Sequence, residues 1–121
     1  SIQSIEMKSY GTQIVTRATY SVASYKQIRI KLWCSATKGV SGDSVVVEVS
    51  ANNGAGWEPV GTLTRDTDFP TDKVWFERRL VWNNSAGAES IRLRISTFTT
   101  ASSSSSQGKV YLENVGIDGI Q

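Results

Sequence analysis

The chain has 121 residues, with 13 lysines and arginines against 11 aspartates and glutamates, and this length is typical of one domain. It contains no histidine and one cysteine, which excludes histidine-based catalysis, histidine-ligated zinc, intrachain disulfides and cysteine metal clusters. The net charge of +2 does not indicate a nucleic-acid or membrane partner, and no apolar run approaches the ~20 residues that cross a bilayer.

The composition favours β-structure. Val, Ile and Thr together number 32, whereas Ala, Leu and Met together number 14. Branched side chains lose rotamer freedom in a helix and pack well on a pleated sheet. No segment of about ten residues has apolar side chains at helical spacing. We therefore predict an all-β protein and treat residues 1–121 as a single β-sandwich module.

Eight strands are predicted, separated by segments rich in residues that favour turns. In chain order they cover residues 2–8, 12–20, 27–36, 44–50, 57–63, 73–82, 90–97 and 109–119. Residues 52–56 carry the strongest hairpin signal, because Asn and Gly tolerate positive φ. The five serines at 102–106 indicate a flexible loop, and a change of phase around Glu113 and Asn114 indicates a bulge.

The third predicted strand alternates with a period of two. One face carries Ile28, Ile30, Leu32 and Cys34, and the other carries Arg29, Lys31, Trp33 and Ser35. The first set should face the core, with Cys34 as an inert buried thiol, and the second set should face outward. The strand at 73–82 is less regular, because Arg78 shares a phase with Phe76 and Leu80. This indicates either a bulge or a shallow strand centre.

Short strands at this spacing predict a two-sheet antiparallel β-sandwich with jelly-roll topology. In that topology the predicted strands 1, 8, 3 and 6 form one sheet, and strands 2, 7, 4 and 5 form the other.

Five segments resemble galactose-binding-like and MAM-like jelly-roll accessory modules, which include many carbohydrate-binding modules. They are 28–36 (IRIKLWCSA), 41–43 (SGD) leading into 45–50, 53–57 (NGAGW), 91–95 (IRLRI) and 110–115 (VYLENV). The resemblance covers residues 1–119 in order and implies an extracellular or cell-surface module without catalytic activity that binds a polysaccharide or glycan. It implies no cofactor, and a structural calcium ion is the single exception left open.

A candidate ligand-binding face follows from aromatic residues in the polar phase of three strands. Trp33, Trp75 and Tyr111 would share the outer face of one sheet, because their strands are neighbours in the jelly-roll order. Four polar residues would flank them: Arg29, Lys31, Arg79 and Glu113. The rings offer flat apolar surfaces to sugar C–H groups, and the charged groups can bind hydroxyls. Alternatively, an N-terminal segment, a loop or a neighbouring module covers the rings.

Other candidate sites are weaker. Asp66, Asp68 and Asp72 lie in one loop and could bind Ca²⁺, although their spacing is not that of an EF-hand. A second calcium hypothesis uses Glu6, Glu113 or Asp118 between the first and last strands. Asn83 begins an N-x-S glycosylation sequon in a predicted turn.

Two further pairs of residues have alternative interpretations. Trp57 and Trp82 are interpreted as core or hairpin packing. Arg92 and Arg94 should face outward beside Glu48, as a cross-strand ion pair or as an anion site.

The sequence leaves two functions open, and the carbohydrate-binding module comes first. The alternative is a structural or adhesive module of a larger cell-surface or filament protein, in which the rings pack on a neighbouring domain. Glycoside hydrolysis needs two acids about 5–10 Å apart in a cleft, and nothing in the sequence marks such a pair. We therefore predict no enzyme activity, and neighbouring domains of a longer chain as partners besides a glycan.

Overall fold

A computed structural model describes the backbone of residues 5–8, 13–15, 19–99 and 109–120, and the side chains from residue 19 onward within those ranges, except Asn114. The described residues form nine β-strands and no helix. The strands are β1 (Ile5–Lys8), β2 (Gln13–Val15), β3 (Tyr20–Ser21), β4 (Gln27–Thr37), β5 (Ser44–Ser50), β6 (Glu58–Thr64), β7 (Phe76–Asn83), β8 (Ser90–Phe98) and β9 (Lys109–Ile120). The described residues include no helix long and apolar enough to cross a membrane.

The strands build two antiparallel sheets in jelly-roll order. The first sheet has the order β1-β9-β4-β7, and the second has the order β2-β8-β5-β6, with β3 also paired to β8. This confirms the all-β sandwich and the predicted distribution of strands between sheets. The predicted strand at 12–20 differs, because β2 and β3 are separate pieces that pair with opposite ends of β8. Residues 2–4, 12, 16–18 and the serine run at 102–106 lie outside the described residues.

Two irregularities shift the register between paired strands, one in each sheet. Leu32 is the single residue of β4 between Lys31, which pairs with Gly116, and Trp33, which pairs with Glu113. Two residues of β9 span the same interval, so the bulge predicted near Glu113 is confirmed. The pairing of β5 with β6 shifts in the same way between Val47 and Glu48.

The prediction that a strand begins at residue 73 is wrong. Lys73 has a φ of 64°, which strand geometry excludes, and β7 begins at Phe76. The pairing of β7 with β4 has no register shift, so the bulge proposed for Arg78 is absent there. Arg78 is instead half-buried, with its guanidinium 5.2 Å from the Phe76 ring and 3.6 Å from Asp68. The shallow strand centre is therefore the correct alternative.

The core lies between the inner faces of the two sheets and follows the predicted alternation. Its fully buried members include Ile28, Ile30, Leu32, Cys34, Val45, Val47, Val49, Phe69, Ile91, Leu93, Ile95 and Leu112. Trp82 belongs to this core, and its indole N–H donates to Glu58. Burial raises the pKa of the Cys34 thiol to about 11, as expected for an inert cysteine.

Candidate functional site

The outer face of the first sheet centres on Trp33. The register places Trp33 of β4 opposite Glu113 of β9 on one side and opposite Glu77 of β7 on the other. Cross-strand neighbours on one face have Cβ atoms about 5 Å apart, so an indole lies between two carboxylate side chains. Trp33 is half-buried and does not belong to the core. The alternation predicted for residues 28–35 is therefore confirmed.

The other two aromatic residues lie around the next outward position of β4, which is Ser35. Tyr111 pairs with Ser35 from β9, and Trp75 directly precedes Phe76, which pairs with Cys34. Trp75 is 38% exposed and Tyr111 is half-buried. Ser35 is only 3% exposed although its phase is outward, as expected for a small side chain beside large ones. The described part of the chain leaves aromatic surface accessible at this end of the face.

The predicted cations lie along the same face, toward the start of β4. Lys31 pairs with Arg79 on β7, and Arg29 pairs with Asp118 on β9. Arg79 binds Glu77 at 2.8 Å, whereas the Arg29–Asp118 contact is longer, at 3.6 Å. The Nε atom of Arg29 is buried and has no hydrogen-bond partner among the described residues.

Six of the seven predicted ligand-binding residues lie on β4, β9 and β7 in the outward phase, and Trp75 lies outside the strands, directly before β7. We call this face, with its outward residues Glu77 and Asp118, the aromatic face. Glu113 and Lys31 make no ion pair with another described side chain. The residues named so far are three cations and three carboxylates, and Lys109, which pairs with Thr37 beyond Tyr111, adds a fourth cation to the same face.

The loop aspartates proposed for calcium each have separate partners. Asp66 accepts a hydrogen bond from Ser41, Asp68 accepts one from the Thr64 N–H, and Asp72 binds Arg65 at 2.5 Å. Across the described ranges, no group of three or more His, Cys, Asp or Glu side chains is arranged to hold a metal ion. Each carboxylate in this loop connects protein segments to one another.

The outer face of the second sheet contains the predicted ion pair. Glu48 pairs in register with Arg94, whose Nε and Nη2 atoms donate to the two carboxylate oxygens at 2.9 and 3.0 Å. The Arg94 guanidinium also lies 4.5 Å from the centre of the Trp57 ring. Trp57 is thus packed beside the hairpin rather than in the core, and the ion pair is the correct alternative for Arg94.

Sequence reasoning missed a cleft at the start of β4. This cleft has a volume of about 700 Å³ and lies between the segment before β4 and the loop after β7. Asn83, the sequon residue, is exposed at its edge and accepts a hydrogen bond from the Gln27 side chain at 3.1 Å. The neighbouring Asn84 is only 3% exposed. The structure thus distinguishes two adjacent asparagines that the sequence does not, one exposed at the edge of the cleft and one buried.

No protein-family model matches the chain, and no curated protein matches it. Among solved structures, the chain is similar to TmCBM61 in complex with β-1,4-galactotriose, with a TM-score of 0.59, 10% identity, and coverage of 97% of this chain and 69% of that one. It is also similar to CBM28, a carbohydrate-binding module specific for non-crystalline cellulose, with a TM-score of 0.55, 10% identity, and coverage of 96% and 73%.

A third similar structure is that of infectious bursal disease virus Gt strain, with a TM-score of 0.50 and 13% identity. The match covers 96% of this chain and 31% of the viral one. At identities this low, the structural similarity shows a shared fold and no more. The chain thus has the jelly-roll fold found in carbohydrate-binding modules, as the sequence resemblance implied.

Proposed function

We propose that the protein is a non-catalytic, extracellular carbohydrate-binding module that holds a glycan chain on its aromatic face. The observation that carries this proposal is the row Glu113–Trp33–Glu77, in which hydrogen-bond acceptors flank an outward-facing indole. Tyr111 and Trp75 add aromatic surface around the next outward position of β4. Clustered aromatic surface on a sheet face is typical of an interaction site rather than of a solvated one.

The chemistry of the face suits a sugar ring. An indole presents a flat apolar surface to the C–H groups of a pyranose, and the carboxylates on both sides accept hydrogen bonds from its hydroxyls. Arg79, next to Glu77, and Lys31 supply donors in the neighbouring row. Because both carboxylates and cations lie around Trp33, we expect a neutral polysaccharide as the ligand of this face.

The fold neighbours support the same conclusion at the level of architecture. Two of the similar structures are carbohydrate-binding modules, one of them in complex with β-1,4-galactotriose. Single sites of this kind commonly gain strength from multivalency, so neighbouring domains in a longer chain fit the proposal. Neither the fold nor the charge suggests a nucleic-acid or membrane partner.

The test is retention in affinity gels containing a panel of neutral polysaccharides, including galactan and amorphous cellulose. We expect the wild type to be retarded by at least one of them, and the double variant Trp33→Ala, Trp75→Ala to bind at least about tenfold more weakly. Trp57→Ala is the matched control, because that indole is already covered by Arg94. Retardation of the double variant equal to that of the wild type would contradict the proposal.

A structural or adhesive role is the second candidate. It is favoured by the likeness to part of a virus structure and by Val81, which is 47% exposed on the same sheet face. In that case the aromatic face would pack against another domain. Sedimentation velocity tests the case in which that domain is a second copy of this one, because the isolated adhesive module then associates through this face, whereas a glycan-binding module sediments as a monomer without ligand.

A further inference from the structure

The cleft at the start of β4 is distinct from the aromatic residues on the same sheet. Gln27 opens β4 and Asn83 closes β7, and the two pair in register at the edge of the cleft. Trp33 lies six positions after Gln27, which corresponds to about 20 Å along an extended strand. The volume of about 700 Å³ falls within the range of sites that bind small molecules.

Asn84 makes the walls of the cleft rigid. Its side-chain amide donates to the carbonyl of Tyr25 at 3.1 Å and to that of Ala88 at 3.0 Å, and its side-chain oxygen accepts from the Ala88 N–H at 2.8 Å. Its backbone N–H donates to the carbonyl of Lys26 at 2.7 Å. One buried side chain therefore connects the two loops that form the walls. A preformed site loses less conformational entropy on binding.

The remaining wall is aromatic. Tyr25 is half-buried, and its ring lies directly against the backbone of Gly119 on β9, where a side chain on residue 119 would overlap it. The ring is thereby held at the cleft, where its apolar face and phenolic hydroxyl are suited to a sugar.

The polar groups of the cleft differ in charge from those of the aromatic face. Among the described residues that line the cleft, Lys26 is the one charged residue, alongside the amides of Gln27 and Asn83 and the hydroxyl of Ser85. The described lining includes no aspartate or glutamate. The cleft thus combines a cation with neutral donors and acceptors, whereas the aromatic face carries both cations and carboxylates. A carboxylate-bearing ligand fits the cleft and a neutral one fits the face.

We infer that this cleft is a second carbohydrate subsite, selective for a sugar that carries a carboxylate, such as a uronic acid. Lys26 binds the carboxylate, Gln27 and Asn83 bind hydroxyls, and the Tyr25 ring packs against the pyranose. The inference rests on the proposed function only in taking carbohydrate as the ligand, because the residues involved are separate from Trp33, Trp75 and Tyr111.

The experiment is an NMR titration of the protein with D-galacturonate and D-glucuronate, each compared with the neutral sugar that lacks the carboxylate. We expect the uronates to shift the side-chain amide signals of Gln27, Asn83 and Asn84, and to bind at least about fivefold more tightly than galactose or glucose. Lys26→Gln should remove this preference. Lys38→Gln, which removes an exposed cation beyond the opposite end of β4, should keep it.

Equal affinity for acidic and neutral sugars, or saturating shifts confined to residues outside the cleft, overturns the inference. The double variant Trp33→Ala, Trp75→Ala distinguishes this failure from failure of the proposed function. If that variant loses polysaccharide retention but keeps its uronate shifts, both sites exist and are independent. If it keeps retention while the wild type gives no uronate shifts, both proposals are wrong.

Discussion

The outer faces of the two sheets carry the same kinds of side chain in different states of pairing. On the second sheet, the Arg94 guanidinium binds both oxygens of Glu48 and covers the Trp57 ring. On the first sheet, Trp33 lies between two carboxylate residues, and among the described residues no cation lies over its ring. The Trp57 ring thus lies under a guanidinium, whereas the Trp33 ring has carboxylate residues as its cross-strand neighbours.

This difference shows why outward phase alone does not define a binding face. Trp57 and Trp33 are both outside the core, and both have arginine and glutamate nearby. The bidentate pair between Arg94 and Glu48 satisfies the charged groups and holds the guanidinium against the indole. The charges around Trp33 are distributed over three strands, and Glu113 and Lys31 remain without an ion pair among the described residues. The comparison can be tested by substitutions on either sheet.

The largest expected effect is the difference in reactivity between a thiol on the inner face of the first sheet and a thiol on its outer face. Cys34 faces the core, and its folded-state pKa of about 11 lies above the ordinary value of 9.0. Folding therefore favours the neutral thiol. Its contribution to the free energy of unfolding is complete below pH 9 and is lost as the pH rises through about 11. At about pH 8 we expect native Cys34 to react with DTNB roughly a thousandfold more slowly than in the unfolded chain.

The matched variant Trp33→Cys, Cys34→Ala moves the thiol to the outer face. Its thiol should react with DTNB at a rate near that of the unfolded protein, because residue 33 is in the accessible phase. If the two thiols react equally fast in the native state, the alternation that defines the aromatic face is wrong.

The next effect concerns the cleft. Gly119→Ala places a methyl group into the Tyr25 ring, so we expect the free energy of unfolding to fall by about 1–3 kcal/mol. The displaced ring should also weaken uronate binding in the cleft, while polysaccharide retention on the aromatic face persists.

Gly116→Ala is the control for that substitution. It lies on the same strand, and a methyl group there would meet no atom within 4 Å among the described contacts. Urea denaturation of both variants, followed by the NMR titration, measures stability and binding separately. A Gly119→Ala protein with unchanged stability and unchanged uronate shifts would show that Tyr25 has no role in shaping the cleft.

A smaller effect is expected from removing one carboxylate on each outer face. Glu48→Gln should lower the thermal midpoint more than Glu77→Gln. The Arg94 and Glu48 side chains are 22% and 19% exposed, whereas Arg79 and Glu77 are 55% and 28% exposed. Exposed pairs are screened more strongly by solvent. Calorimetry should show the larger decrease for Glu48→Gln both in low salt and in about 1 M NaCl. The high salt should make the decrease in thermal midpoint smaller for both variants.

The smallest expected effect is the pH dependence of the stability that Asp72 contributes, in the loop that leads to Trp75. Partial burial acts to raise the pKa of Asp72, but hydrogen bonds from Arg65 and from the Gly39 N–H outweigh it and hold the pKa below its usual range. The stabilising contribution is therefore present above the unfolded value of 3.8 and is lost as the pH falls through the lower folded value.

Urea denaturation of the wild type and of Asp72→Asn at about pH 6 and about pH 3 measures this contribution. We expect the variant to lose less stability on acidification than the wild type, because one carboxylate with a lowered pKa has been removed. Identical losses for the two proteins would show that the Arg65–Asp72 pair does not stabilise the fold.

Most of the aromatic face could be predicted from the sequence, because the features that determine it are local. Alternation along β4 places Trp33 outward whatever its neighbours are, and the jelly-roll order then brings β9 and β7 to either side. The cross-strand pair of Glu48 and Arg94 followed from the same two facts. The cleft did not follow, because Asn84 reaches Tyr25 across 59 residues of sequence, and no periodicity encodes a contact between two loops.

The sequence by itself determined the strand content, the inward and outward faces, and the distribution of strands between the two sheets. These features depend on the period-two geometry of extended chains and on burial of branched side chains. The tertiary structure decided where β7 begins, how Arg78 is accommodated, and which outward tryptophan lies under a guanidinium. Those outcomes depend on groups distant in sequence, such as Asp68 beside Arg78 and Arg94 over Trp57, which come together only when the strands have assembled.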